Sequence, residues 1–253
     1  MDIALIVLYF GLFCISILYS SVGHGGASGY LAILSLSTFA TMESSWLKQH
    51  AWCLNLVVAA IAFFHYYNAG FFNKKLTTPF IITSIPFAII GGYLKIDGGI
   101  YDILLSITLL WAAYRLFQTK NDDEINNFVE PDLKIALPTG GVIGLMSGIV
   151  GVGGGIFLSP IILLKKWADP KTVAATSALF IWVNSAAGLF GAGISGQLNI
   201  DLGILFPFII VVLIGGYIGS RIGSLAHQSI IRLVLVFVLI TAGGKRLIDS
   251  FAF

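Results

Sequence analysis

The chain has 253 residues, 57% of them hydrophobic and 10% charged, with a formal net charge of +2. Ordinary soluble domains carry roughly 25% charged residues, so these proportions exclude a soluble enzyme, a disordered chain and a nucleic-acid-binding domain. Cys14 and Cys53 both sit in apolar surroundings, which gives no disulfide framework and leaves a polytopic membrane protein.

The first apolar run, residues 3–42, holds no Asp, Glu, Lys or Arg. It lacks a basic leading segment and outlasts the apolar stretch of a cleaved signal peptide, so it is read as part of the mature protein. Glycine interrupts it at Ser20-Ser21-Val22-Gly23-His24-Gly25-Gly26-Ala27-Ser28-Gly29, too densely for a continuous helix at about 1 kcal/mol per glycine. The arm over 30–40 would span roughly 17 Å, about half the hydrocarbon thickness. Residues 3–40 are therefore predicted to form a helical hairpin with its glycine tip inside the protein, either re-entering or crossing. A long helix over 45–66 follows, then apolar runs over 76–94 and 99–117, and then a polar run over 119–134. Beyond that linker, 135–164 repeats the hairpin pattern. It breaks at Ser147-Gly148-Ile149-Val150-Gly151-Val152-Gly153-Gly154-Gly155 and closes on a short arm over 156–164. Apolar runs over 172–200, 202–220 and 228–245 complete the chain. Backbone groups in lipid must be satisfied within their own segment, which favours helices; the alternation of a β-barrel is absent.

The two halves echo each other. Val22-Gly23-His24-Gly25-Gly26 answers Val150-Gly151-Val152-Gly153-Gly154, and Pro79-Phe80-Ile81-Ile82 answers Pro207-Phe208-Ile209-Ile210. Gly91-Gly92-Tyr93 answers Gly215-Gly216-Tyr217, and Arg115-Leu116 answers Arg246-Leu247. Four matches in one order, far longer in period than a solenoid, indicate a duplicated transporter half. The expected fold is an all-α polytopic membrane protein of two repeats, 1–118 and 135–253, joined by a polar cytoplasmic linker, 119–134. Each repeat holds one glycine-broken hairpin and three transmembrane helices. The hairpin adds two crossings or none, so each half crosses an odd number of times and the repeats are inverted. Basic residues support this. Lys74, Lys75, Arg115, Lys120, Lys134, Lys165, Lys166, Lys171, Arg221 and Arg232 gather on one face, and Lys48, Lys95, Lys245 and Arg246 on the other. The richer face is expected to be cytoplasmic, with both termini outside. A parallel eight-helix arrangement is the competing count.

The glycine loops are the candidate site. A loop that opens a helix aims unpaired N–H groups at one point, and the helix dipole adds positive character, which makes an anion site without a buried cation. Gly23, Gly25, Gly26, Gly151, Gly153, Gly154 and Gly155 supply such backbone; tight helix packing is the alternative reading of them. His24, in the first loop, has Val152 as its counterpart in the second. It is read as a donor to an anion or a proton carrier, or as a ring bonded to a nearby carbonyl. His50 and Asn55 on the third helix, and Thr176, Ser177 and Asn184 on its counterpart, are candidates for oxyanion binding or for bridging helices, and Ser28 shares that ambiguity. Phosphate-loop and metal-ligand spacings are absent, so no cofactor, metal or nucleic-acid partner is expected.

The stretch Gly144-Leu145-Met146-Ser147-Gly148-Ile149-Val150-Gly151-Val152-Gly153-Gly154-Gly155, with Pro160 and Ala174-Ala175-Thr176-Ser177 beyond it, resembles the sulfite exporter TauE/SafE family of membrane proteins. The first-half loop and the duplication fit as well, so the resemblance covers nearly the whole chain. It implies transport of sulfur-containing anions, sulfite or organosulfonates such as sulfoacetate, in a prokaryotic cytoplasmic membrane. His24 and Lys48-Gln49-His50 depart from the second-half pattern. The expected activity is secondary transport rather than catalysis, with a small anionic substrate, surrounding lipid and a proton or sodium ion as coupling partner. A channel-like anion pore is the first rival, and a membrane-embedded enzyme the second.

Overall fold

The computed structural model describes residues 3–96, 98–118, 128–225 and 240. Among them the chain forms α1 (Ile3–Ser20), α2 (Ala27–Leu36), α3 (Ser44–Asn68), α4 (Lys74–Tyr93), α5 (Gly98–Gln118), α6 (Leu133–Val150), α7 (Gly155–Leu164), α8 (Pro170–Ile194) and α9 (Leu202–Leu225), with no strand. Six of these, α1, α3, α4, α6, α8 and α9, are long and apolar enough to cross a membrane. The all-helical, polytopic expectation holds. Asp97, residues 119–127 of the linker, the apolar run 228–245 apart from Ile240, and Arg246-Leu247 lie outside the described residues.

Burial runs opposite to that of a water-soluble protein. Ile3, Phe10, Ile82, Val142, Phe190, Leu202 and Phe206 are exposed, while Lys48, Gln49, His50, Asn55, Thr176, Ser177 and Asn184 are buried. In water such charged and amide groups stay outside; lipid around an apolar exterior accounts for the reversal.

Helix starts fall into two kinds. α4, α6, α8 and α9 begin under polar caps. Asn73 accepts from the Leu76 N–H at 3.2 Å, Asp132 from Lys134 at 2.9 Å, Asp169 from Lys171 at 2.9 Å, and Asp201 from Gly203 at 2.9 Å. These are ordinary surface caps. α2 and α7 instead begin after Gly26 (φ 98°) and Gly154 (φ 82°), neither of which has a capping side chain. Each is ten residues long, about 15 Å of rise. The first arm was expected over 30–40 but spans Ala27–Leu36. It opens once Gly26 has turned the chain. It ends where Ser37 becomes extended and its hydroxyl donates to the Leu34 carbonyl at 2.8 Å.

Packing crosses the middle of the chain. α4 lies against α6 and α8, and α9 against α1 and α3. α6 runs beside α4 in the same direction: a Cβ on Gly144 would lie 2.7 Å from the Ser84 Cα, and one on Gly148 2.8 Å from the Gly92 nitrogen. α9 runs likewise beside α1, where a Cβ on Gly215 would lie 2.7 Å from the Phe13 oxygen and one on Gly219 2.7 Å from the Ile17 carbonyl carbon. Small residues four apart bring the backbones into contact. α3 and α8 run antiparallel. Gln49, near the start of α3, donates to the Gln197 carbonyl beyond the end of α8 at 2.6 Å. Tyr66, near the end of α3, clusters with Ala174 and Ala175 near the start of α8. Basic residues meet at this second end: Lys75 pairs with Glu130 at 3.6 Å, and Lys171 donates to the Ser224 carbonyl at 3.0 Å.

Candidate functional site

The first tip is built by the way α1 stops. The N–H of Gly23 returns to the Ser20 carbonyl at 3.0 Å, and that of His24 to the Tyr19 carbonyl at 2.9 Å. This is a Schellman closure with Gly23 (φ 73°) in the left-handed position. Gly26 then turns the chain into α2, and the Tyr30 N–H closes on the Gly26 carbonyl at 2.9 Å. In the second tip Gly151, Gly153 and Gly154 all have positive φ.

The two tips meet on α3 and α8. Asn55 Oδ1 accepts the first N–H of α2, from Ala27, at 2.9 Å, while its Nδ2 donates to Ser185 Oγ on α8 at 3.2 Å. A Cβ on Gly25 would lie 2.8 Å from Asn55 Cγ and 2.9 Å from Ile181 Cγ2. One on Gly153, from the other tip, would lie 2.6 Å from Asn55 Nδ2 and 2.9 Å from Ile181 Cγ2. Asn55 and Ile181 are thus clasped by both loops, and the space fits only glycine.

His24 spans the same junction. Its Nδ1 lies 3.0 Å from the Val22 carbonyl, and its Nε2 3.2 Å from Ser159 Oγ on α7. Ser159 Oγ in turn lies 2.7 Å from Ser177 Oγ on α8. A carbonyl only accepts, so in the neutral ring Nδ1 carries the proton and Nε2 accepts from Ser159. The ring is bonded to a nearby carbonyl, and it also ties the first tip to α7 and α8.

The other candidates separate. Ser177 joins the His24 chain, but Thr176, one position away, turns toward α4 and meets Thr77 Oγ1 at 2.9 Å. A step of one residue rotates a helix by about 100°, so neighbours cannot share a face. Asn184 is buried; its Nδ2 donates to the Phe180 carbonyl at 2.8 Å, and its Oδ1 has no partner. Ser28 meets Tyr19 at 2.7 Å and holds α2 on α1. His50 is apart from the tips: Nδ1 donates to the Trp46 carbonyl at 2.8 Å, and Nε2 accepts the Asp201 N–H at 3.2 Å. Gln49 accepts from the Asn199 N–H at 2.7 Å, so the two side chains fasten the α8–α9 connection to α3. Ser159 and Ser185 were not foreseen, because serine in an apolar helix reads as small-residue packing.

The buried hydroxyl of Ser147 also lacks a partner, and its Cβ lies 3.4 Å from where a Cβ on Gly154 would stand. α2 is capped from outside by Asn55, while the start of α7 has next to it an unpaired serine hydroxyl and no side-chain cap. Helix starts of this kind attract anions.

The profile of a family described as sulfite exporter TauE/SafE matches residues 8–246. A probable membrane transporter protein of Sinorhizobium fredii is 36% identical over 251 residues, covering 98% of this chain and 100% of its own length. A probable membrane transporter protein of Methanocaldococcus jannaschii is 27% identical over 177 residues, 67% of this chain and 65% of that one. A sulfite exporter TauE/SafE family protein of Arabidopsis thaliana is 33% identical over 66 residues, 26% of this chain and 14% of that protein. No solved structure matches the chain.

Proposed function

Because the chain belongs to the sulfite exporter TauE/SafE family of membrane transporters, we propose that it is a secondary transporter of small sulfur-containing oxyanions, sulfite or an organosulfonate such as sulfoacetate. The observation that carries this reading is the meeting of the α2 and α7 starts on Asn55 and Ile181, deep among the helices. Substrate oxygens take N–H groups of the loops 23–29 and 151–155 other than those of Gly23, His24, Ala27 and Gly151, which close on Ser20, Tyr19, Asn55 and Ser147, with His24, Asn55, Ser177 and Asn184 around them. Ser28, His50 and Thr176 hold the frame. The helix starts supply positive field without a fixed counter-charge in the loops.

The same reading assigns two inverted repeats, 1–118 and 135–253. The antiparallel run of α3 and α8 supports it, as does the exchange of partners in which α4 takes α6 while α9 takes α1. With the basic end cytoplasmic, the protein lies in a prokaryotic inner membrane with both termini outside. Outward movement of an anion is favoured by an inside-negative potential and needs little coupling, whereas uptake needs a proton or sodium ion.

The test is thermal stabilisation of the purified protein by sulfite, sulfate, thiosulfate, sulfoacetate, taurine and chloride, since a ligand that binds the folded state raises its apparent stability. A selective shift with a sulfur oxyanion is expected. A shift with chloride alone, or with none of the six, overturns the substrate class.

A further inference from the structure

Lys48 is a buried cation without a counter-charge. The residue is 3% exposed, and no carboxylate among the described residues pairs with its ammonium. What Nζ faces is the ring of Trp52, one turn along α3, at 5.6 Å from the centroid. Trp52 is itself fully buried, and its indole Nε1 has no acceptor. An ammonium and an indole N–H therefore lie together on one helix face, the indole without an acceptor and the ammonium over the ring with no ion pair. Both groups only donate, so what completes them must accept, and the ammonium selects a negative charge. Ionisable groups inside the membrane are costly and are kept where they meet ions or substrate.

The position adds to the argument. Lys48 backs onto the second tip: a Cβ on Gly151 would lie 2.6 Å from Lys48 Cβ. Gln49 and His50, its neighbours, fasten the α8–α9 connection at that end of the molecule. The Trp52 ring reaches across to α8, where a Cβ on Gly188 would lie 2.7 Å from its Cζ2. The pair sits between that end and the junction of the tips.

We propose that Lys48 Nζ and Trp52 Nε1 form an anion subsite beside the second tip, which holds the transported oxyanion on its way between the α8–α9 end and the midplane. The identity of that anion rests on the transporter reading above; the subsite itself requires only an oxyanion or halide.

The experiment titrates the full-length purified protein with sulfite, sulfate and chloride, following thermal stability, in the wild type and in Lys48→Gln, Lys48→Arg and Trp52→Phe. Without anion, Lys48→Gln is expected to melt no lower than the wild type, because it removes an uncompensated charge. Its apparent Kd for the stabilising anion is expected to rise about tenfold or more, the scale of a lost hydrogen bond to a charged group. Lys48→Arg keeps the charge and is expected to stay within about threefold, and Trp52→Phe to weaken binding by about threefold to tenfold, as for a neutral donor. Wild-type affinity in Lys48→Gln overturns the subsite, and so does melting well below the wild type without anion, which marks a structural lysine. If Lys48→Gln does not fold, the subsite is rejected by the same criterion. Wild-type affinity in Trp52→Phe removes Nε1 from it. Stabilisation by sulfite equally in the wild type and Lys48→Gln removes the subsite and leaves the sulfur-anion reading standing. Stabilisation by chloride but by neither sulfite nor sulfate, lost in Lys48→Gln, does the reverse. No stabilisation by any of the three overturns the subsite and leaves the sulfur-anion reading to the organosulfonates.

Discussion

Asn55 is the side chain on which both tips depend, and it separates charge from scaffolding. In Asn55→Asp a carboxylate still accepts the Ala27 N–H and takes the Ser185 hydroxyl as a second donor, so the contacts at 2.9 and 3.2 Å survive. What changes is a negative charge where the anion is proposed to lie. At a separation of about 6 Å and an effective dielectric of about 20, the repulsion is about 3 kcal/mol, roughly hundredfold in Kd. Anion titration of that variant is expected to show this loss with a much smaller change in melting temperature; unchanged affinity rejects the tips as the anion site. The His24 chain gives a second expectation. Ser159→Ala strips partners from both His24 Nε2 and Ser177 Oγ, which costs about 1–3 kcal/mol. His24→Ala in the same background is expected to add less than it costs alone, as groups in one network do; additive losses in chemical unfolding would show that the three do not act together. Asn55, His24 and Ser177 could be singled out in the sequence because polar groups in apolar runs stand out. Their partners could not: Ser185 lies 130 positions from Asn55 and Ser159 lies 135 from His24, and no local window links them.

At the scale of elements, the tips are distinguished from ordinary turns by what surrounds their glycines. Gly154 (φ 82°) and Gly70 (φ 84°) have nearly the same positive φ. A Cβ on Gly154 would lie 2.8 Å from Phe180 Cε1, while one on Gly70 would meet nothing within 4 Å. Gly70→Ala is expected to cost only the left-handed backbone penalty, about 1–2 kcal/mol. Gly154→Ala adds overpacking of about 1–3 kcal/mol and displaces the start of α7, so it alone is expected to weaken anion binding. Equal effects of the two on binding would reduce the second tip to a packing device. The apolar runs and the glycine breaks made the helices and hairpins legible, since a charge-free stretch of membrane length has one stable conformation in lipid. Helix phase was less legible: Thr176 and Ser177 read as a pair, yet one bonds α4 and the other the His24 chain. The pairing of α4 with α6 and of α1 with α9 was not readable at all, because glycines on one face say that a helix approaches without saying which.

For the whole molecule, the uneven ends and the antiparallel central helices carry consequences for orientation and for energetics. Leu198 is 56% exposed in the α8–α9 connection, and Lys165 lies at the basic end just beyond α7. With the basic end cytoplasmic, Leu198→Cys is expected to react with a membrane-impermeant thiol reagent in intact cells, and Lys165→Cys only after permeabilisation; the opposite pattern reverses the assigned topology. The buried polar groups between α3 and α8 include no carboxylate among the described residues, and Lys48 adds positive charge. Lys48 stays with the protein and no carboxylate is there to carry a cation along, so transport of an anion should itself move charge. In vesicles loaded with sulfite, an inside-negative potential of about 100 mV favours efflux by about 2.3 kcal/mol per net negative charge moved. Efflux is expected to speed up under that potential and to saturate with internal sulfite. Efflux that ignores the potential implies a compensating cation travelling with the anion. Flux that rises without saturation implies a pore, in which the two tips line a conduit instead of closing around a substrate.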